Sequence, residues 1–276
     1  MNRLFKLALL LLLALQITGC NTMQGSSSEK TTAPVLSRIE QRGELILGTS
    51  ANMPPMTYTK DGQVVGFDID MARLMADVMD VRLTIKTLRF ADLLPALQRG
   101  DVDVVISNLT ITPERNKKVA FVGPYLTSGK CLVSKNENLA RAAEAEELNR
   151  PETRIAVLKG STSERFVRTL LPKATVTTTE DIASGVQLVI DDQVGALLSE
   201  YPICLSTLQS HPDAGFVSVL SLLSYEPIGI ALPDNDPLFV NWTENFLTRM
   251  DGTNSLEALS RKWFGKFEIS VDQAAQ

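Results

Sequence analysis

The chain has 276 residues, enough for one large domain or two small ones around a substantial core. Its formal charge of −5 offers no basic face for nucleic acid, and a single histidine, His211, excludes a His-rich metal site.

Met1 to Cys20 reads as a bacterial lipoprotein export signal. Arg3 and Lys6 precede the apolar run LALLLLLALQI, which is shorter than the ~20 residues a bilayer crossing needs. Ile17-Thr18-Gly19-Cys20 closes the run and resembles a lipobox. Cleavage after residue 19 would make Cys20 the lipid-bearing first residue. An ordinary signal, or a short anchor with an incidental cysteine, is the alternative. Residues 20–37, which include Gly25-Ser26-Ser27-Ser28, read as the lipidated cysteine and a flexible tether.

From Arg38 onward strands and helices alternate. ELILGT at Glu44–Thr49 is a buried strand, followed by a loop through Pro54-Pro55 and a turn at Asp61-Gly62. FDIDMARLMADVM is an amphipathic helix with Asp68 as its expected cap. VRLTIKTL is a strand and ADLLPALQRG a helix that stops near Gly100, with Pro95 kinking it or lying in its first turn.

DVDVVISNLTITPER, Asp101–Arg115, begins as a strand in β-branched residues and ends as a helix start. Thr112 suits the cap, Pro113 the first helical position and Glu114 the positive end of the helix. Ser107, Asn108 and Thr110 fall at the strand's C-terminal end, where open α/β sheets place ligands. Arg115 adds a fixed cation beside free N–H groups, a seat for a small carboxylate. A capped helix with a solvated Arg accounts for the same spacing.

Gly123–Lys130 is rich in turn formers, and after it the alternation restarts. RIAVLKG, SERFVRTL, ATVTT, IASGVQLVI and VGALLS read as strand, helix, strand, helix, strand. A helix to about Ser210, strands around Phe216–Val219 and Pro227–Leu232, and helices around Pro237–Met250 and Ser255–Trp263 complete the chain. The tail 268–276 is expected to be loose. This pattern is α/β, mostly parallel sheet with helices on both faces.

Several chemistries lose support. His211 lies in a turn-like Ser-His-Pro-Asp stretch and reads as surface. Lys159-Gly160-Ser161-Thr162 has the residue types of a phosphate loop without its spacing. Asp234-Asn235-Asp236 lacks the Gly and Glu of a calcium loop and reads as a turn. Cys131 and Cys204 are either bonded in an oxidising compartment or buried free thiols.

ELILGT, GFDIDMA, LLPALQRGDVDVVIS, TITPER, Phe121…Pro124-Tyr125, LKGSTSE and SRKWFG follow one another over roughly Arg38 to Phe267. In that order they resemble the bacterial extracellular solute-binding proteins of family 3, receptors that deliver polar amino acids to ABC importers. The resemblance implies a two-lobe, type II periplasmic-binding-protein fold with two hinge strands. Lobe 1 would hold 38–126 plus 225–267, and lobe 2 would hold 127–224. It implies that Arg115 grips a ligand carboxylate, with Ser107, Asn108 and Thr110 beside it and Ser161 and Thr162 closing from lobe 2. Glu200 falls at the position that binds the ligand ammonium, although it could equally cap the next helix. Phe90 falls at the floor of the side-chain pocket. Met53 and Met56 stand where aromatics are usual, and Gly195 replaces a frequent acid, so the pocket is softer than the family's pattern.

The resulting expectation is a non-enzymatic, lipid-anchored, monomeric receptor with no cofactor and no metal. It would sit on the extracytoplasmic face of a membrane and bind an amino acid or similar zwitterion for an ABC permease. Two alternatives stand beside it. One is an enzyme similar to cyclohexadienyl dehydratases, whose catalytic Glu would fall at Ile203. The other is an envelope sensor or scaffold with a degenerate cleft.

Overall fold

The computed structural model describes residues 34–142, 145–218 and 224–265. The export signal, Cys20 and the tail 268–276 lie outside them. The described residues begin with α1 (Pro34–Arg42), a helix whose first residues fall inside the stretch expected to be tether. Val35 and Leu36 of that helix are buried, and both backbone N–H groups donate to Asp236 Oδ2 at 2.8 Å.

The first half runs β1 (Glu44–Thr49), β2 (Asn52–Met53), β3 (Thr57–Lys60), β4 (Gln63–Val65), α2 (Phe67–Val78) and β5 (Arg82–Thr87). A 3-10 turn at Phe90–Asp92 leads to α3 (Leu93–Arg99), β6 (Val104–Val105), α4 (Pro113–Asn116) and β7 (Ala120–Ser128). The second half runs β8 (Lys130–Val133), α5 (Glu137–Ala140), α6 (Ala145–Leu148), β9 (Arg154–Leu158) and α7 (Thr162–Leu170). It continues with β10 (Thr175–Thr179), α8 (Ile182–Ile190), β11 (Ala196–Glu200) and α9 (Tyr201–Ser210). The chain then returns as β12 (Glu226–Leu232), α10 (Pro237–Gly252) and α11 (Ser255–Phe264).

Two sheets result. The first has the order β5-β1-β6-β12-β7 and the second β10-β9-β11-β8. In each, three neighbouring strands are parallel, which the strand–helix alternation requires, and antiparallel partners complete the edge. Leu45, Leu47, Ile69 and Met75 are fully buried in the first lobe, and Ile155, Val157 and Leu198 are buried in the second.

The stretch Gly123–Lys130, rich in turn formers, lies almost wholly in strands. Residues 120–128 form one nine-residue strand, β7, that pairs antiparallel with β12 from Ala120–Leu232 to Ser128–Glu226. Gly and Pro lower strand propensity, but a long antiparallel partner supplies the ladder that propensity alone does not. This ribbon carries the chain from the first sheet to β8 and back. The strand expected around Phe216–Val219 reduces, in its described part, to one bridge between Val217 and Ser134.

Helix starts follow local chemistry. Gly66 precedes α2 at φ +137°, and a Cβ there would lie 2.1 Å from the Met56 carbonyl oxygen, so only glycine fits. Asp68 does not cap this helix. It turns inward, where its carboxylate accepts from Tyr125 Oη at 2.8 Å and from the Asn108 N–H at 2.7 Å. Asp236 lies in the Asp-Asn-Asp turn, fully buried. It caps α10 through Oδ1, which accepts from Phe239 N at 2.9 Å, while Oδ2 caps α1. Cys131 of β8 and Cys204 of α9 form a disulfide, which resolves that alternative.

Candidate ligand-binding cleft

Residues that follow β6, follow β9 and end β11 come together beside the β7–β12 ribbon. In each lobe, these are positions at or just beyond the C-terminal ends of parallel strands.

From the first lobe comes the segment Ser107–Arg115. Thr112 caps α4 by accepting from Arg115 N at 3.2 Å, with Pro113 at the first position, as its residue types dictate. The cap holds Arg115 with its side chain folded back: Nη1 donates to the Thr110 carbonyl at 2.8 Å and Nη2 to the Gly160 carbonyl of the second lobe at 3.1 Å. The guanidinium carbon lies 5.7 Å from the centre of the buried Phe90 ring, so Phe90 is a platform for the cation. Burial pulls the guanidinium down to about 10, against the opposing pull of the Glu200 and Glu226 carboxylates. It remains a cation at neutral pH.

Ser107 is committed to its own lobe: Ser50 N donates to its Oγ at 3.0 Å and its hydroxyl donates to Ser50 Oγ at 3.1 Å. Asn108, at φ +49° and only 3 % exposed, has neither amide oxygen nor amide nitrogen hydrogen-bonded among the described residues. Such a group is uncommon inside a protein and marks a place where polar capacity is held in reserve. Met53 and Met56 are both fully buried and join the first lobe's core.

From the second lobe, Ser161 caps α7 by accepting from Glu164 N at 3.1 Å, while Glu164 reaches back to accept from Gly160 N at 2.8 Å. Thr162 faces Thr110 across the lobes, with 3.4 Å between hydroxyls. Gly160 packs so closely that a Cβ on it would lie 3.0 Å from Ala91 Cα. Glu114 and Arg165 pair across the same boundary at 2.6 Å.

Glu200 ends β11 and is buried. It makes no side-chain cap to α9, so that alternative is not the one realised. Its Oε1 instead accepts from Lys130 Nζ at 3.2 Å and from Ser163 Oγ at 3.1 Å. The same lysine lies 3.2 Å from Glu226 Oε1, at the start of β12, and Thr162 Oγ1 donates to Glu226 Oε2 at 2.9 Å. Burial alone would raise the Glu226 carboxyl, but Lys130 and its hydroxyl donors outweigh that and hold it below its ordinary value. Sequence reasoning missed Lys130 and Glu226. The available signal was a charge directly preceding each of two apolar strands, Lys130 before CLV and Glu226 before PIGIAL.

His211 lies apart at the end of α9, its Nδ1 3.0 Å from the Thr207 carbonyl oxygen. Among the described residues no group of His, Cys, Asp and Glu is arranged to hold a metal ion, and no helix is long and apolar enough to cross a membrane.

Residues 45–266 match the family model for bacterial extracellular solute-binding proteins, family 3. The L-cystine-binding protein TcyJ of Escherichia coli (strain K12) is 27% identical over 232 residues, covering 84% of this chain and 86% of that protein. The arginine-binding extracellular protein ArtP of Bacillus subtilis (strain 168) is 29% identical over 262 residues, covering 93% and 97%. Among solved structures, the ancestral amino acid-binding protein AncCDT-1, a precursor of cyclohexadienyl dehydratase, superposes with a TM-score of 0.76. It is 35% identical and covers 83% of this chain and 98% of that one.

Proposed function

The chain belongs to the bacterial extracellular solute-binding proteins, family 3, and from that premise we propose that its two lobes close on one amino acid and present it to an ABC importer. The observation that carries this reading is the Arg115 guanidinium of the first lobe, bonded to Gly160 of the second, within the field of the acids Glu200 and Glu226. A cation and a pair of acids in one interlobe cluster match the two ends of a zwitterion. The carboxylate is assigned to Arg115, and the ammonium to the Glu200 and Glu226 side. Asn108 supplies unused hydrogen-bonding capacity and Phe90 a flat apolar floor.

Closure follows from differential affinity, since a ligand that touches both lobes favours the shut state. The type II periplasmic-binding-protein fold supplies the hinge as the β7–β12 ribbon. We assign residues 1–19 to an export signal and Cys20 to a lipid anchor that holds a monomeric receptor at the extracytoplasmic face of a membrane. Mass spectrometry of the membrane-extracted protein tests this: a diacylglycerol adduct on Cys20 is expected, and an unmodified N-terminus elsewhere would overturn it.

A thermal-shift screen of residues 21–276 against the amino acids tests the receptor reading, because a ligand specific for the folded state must raise the melting temperature. At least one amino acid is expected to do so; none would favour a scaffold with a degenerate cleft. A dehydratase is the second reading, favoured by the likeness to the cyclohexadienyl dehydratase of Pseudomonas aeruginosa, 24% identical over 249 residues. Against it, the position that the resemblance gives to that enzyme's acid holds Ile203, a fully buried apolar residue that transfers no proton. Turnover of prephenate or arogenate by purified protein would reverse the ranking.

A further inference from the structure

Lys130 is more deeply buried than any other described lysine, with 2 % exposure, and it sits where a bound ammonium group was expected to find Glu200. Its Nζ lies 3.2 Å from Glu200 Oε1, 3.2 Å from Glu226 Oε1, 2.9 Å from Thr162 Oγ1 and 3.1 Å from Ser163 Oγ. A buried lysine is stable only when paired, and this one is paired with two carboxylates at once. The cluster therefore carries one net negative charge, and Arg115 carries one positive charge beside it. The ion pairs that bridge the lobes nearby, Glu114 with Arg165 and Arg89 with Glu180, cancel in pairs.

This balance has a consequence for the ligand. An amino acid with one carboxylate and one ammonium leaves the sum at zero. Arginine or lysine would bring a second cation into a buried region whose acids are already matched, and would meet the Lys130 ammonium as a like charge. We propose that Lys130 is a specificity-determining residue that turns the cleft against cationic side chains and restricts it to amino acids of no net charge. The proposal rests on the receptor reading above and narrows it.

The test is calorimetric titration of the wild-type protein and of Lys130→Gln with a panel of neutral, acidic and basic amino acids. The wild type is expected to bind its best neutral amino acid at least ~100-fold more tightly than arginine or lysine. Lys130→Gln is expected to shift that ratio toward the basic ligands by about tenfold or more, and Lys130→Arg is expected to restore it. A role in folding alone would lower all affinities together and leave the ratio unmoved. Should Lys130→Gln fail to fold, Glu226→Gln reads the same balance with the opposite sign, and glutamate or aspartate should gain on the neutral ligands. A wild type that prefers arginine or lysine, or variants whose ratios do not move, would overturn the proposal and leave the receptor reading standing. A wild type that binds no amino acid would overturn the receptor reading itself.

Discussion

Arg115 and Gly160 are 45 residues apart in the chain and on different lobes, yet the guanidinium Nη2 donates to the Gly160 carbonyl at 3.1 Å. The same side chain is fixed within its own lobe by the Thr110 carbonyl at 2.8 Å. One cation therefore reports on both halves of the molecule. Removing it takes away a charged group that burial has partly desolvated. We expect Arg115→Ala to lose about 2–5 kcal/mol of amino-acid affinity, the usual cost of deleting one partner of a buried charge pair. Isothermal titration of the variant checks this, and an affinity equal to the wild type's would remove Arg115 from the site.

Asp236 caps two helices at once, accepting from Val35 N and Leu36 N with one oxygen and from Phe239 N with the other. It is fully buried, so these donors have no direct access to bulk solvent. Asp236→Ala leaves three donors without an acceptor and should cost about 2–4 kcal/mol. Urea denaturation gives the number; a loss under about 0.5 kcal/mol, the range of an ordinary surface change, would show that the caps are redundant.

The Cys131–Cys204 disulfide closes a loop with a sequence separation of 73. Chain entropy alone puts its contribution at about 4 kcal/mol, within an observed range of about 2–5 for native bridges. Replacing both cysteines by alanine is expected to lower stability by that range. A double variant as stable as the wild type would place the bridge outside the folding balance.

Burial raises the Asp68 carboxyl to about 7, although the Tyr125 hydroxyl and Asn108 N–H both favour its anion. The ordinary value is 3.8, so between these two values the folded protein holds a proton that the unfolded chain has released. Stability from this group is therefore greatest at low pH, falls as pH rises from about 4 to about 7, and is level above. The full swing is up to about 4 kcal/mol. Asp68→Asn should flatten that part of the profile, measured as the difference in unfolding free energy between pH 5 and pH 8. An unchanged difference would mean that Asp68 is ionised throughout.

Much of this architecture was legible from local pattern. Alternating strands and helices, the Gly100 stop and the Thr112–Pro113 start all depend on residues within a few positions of one another. Chain order alone therefore carries them. The blocks from GFDIDMA to SRKWFG also led to the right family and the two-lobe fold.

Elsewhere tertiary contact decided what local pattern left open. Asp68 looked like a cap and became a buried partner of Tyr125; Gly123-Pro124, turn formers by propensity, lie within a nine-residue strand held by β12. Thiols 73 residues apart joined, and a lysine before an apolar strand settled between two acids 70 and 96 residues further on, at positions 200 and 226. Period and propensity act over a turn or a strand. Whether a charge is buried, and what meets it there, depends on which distant segments the fold brings within about 3 Å.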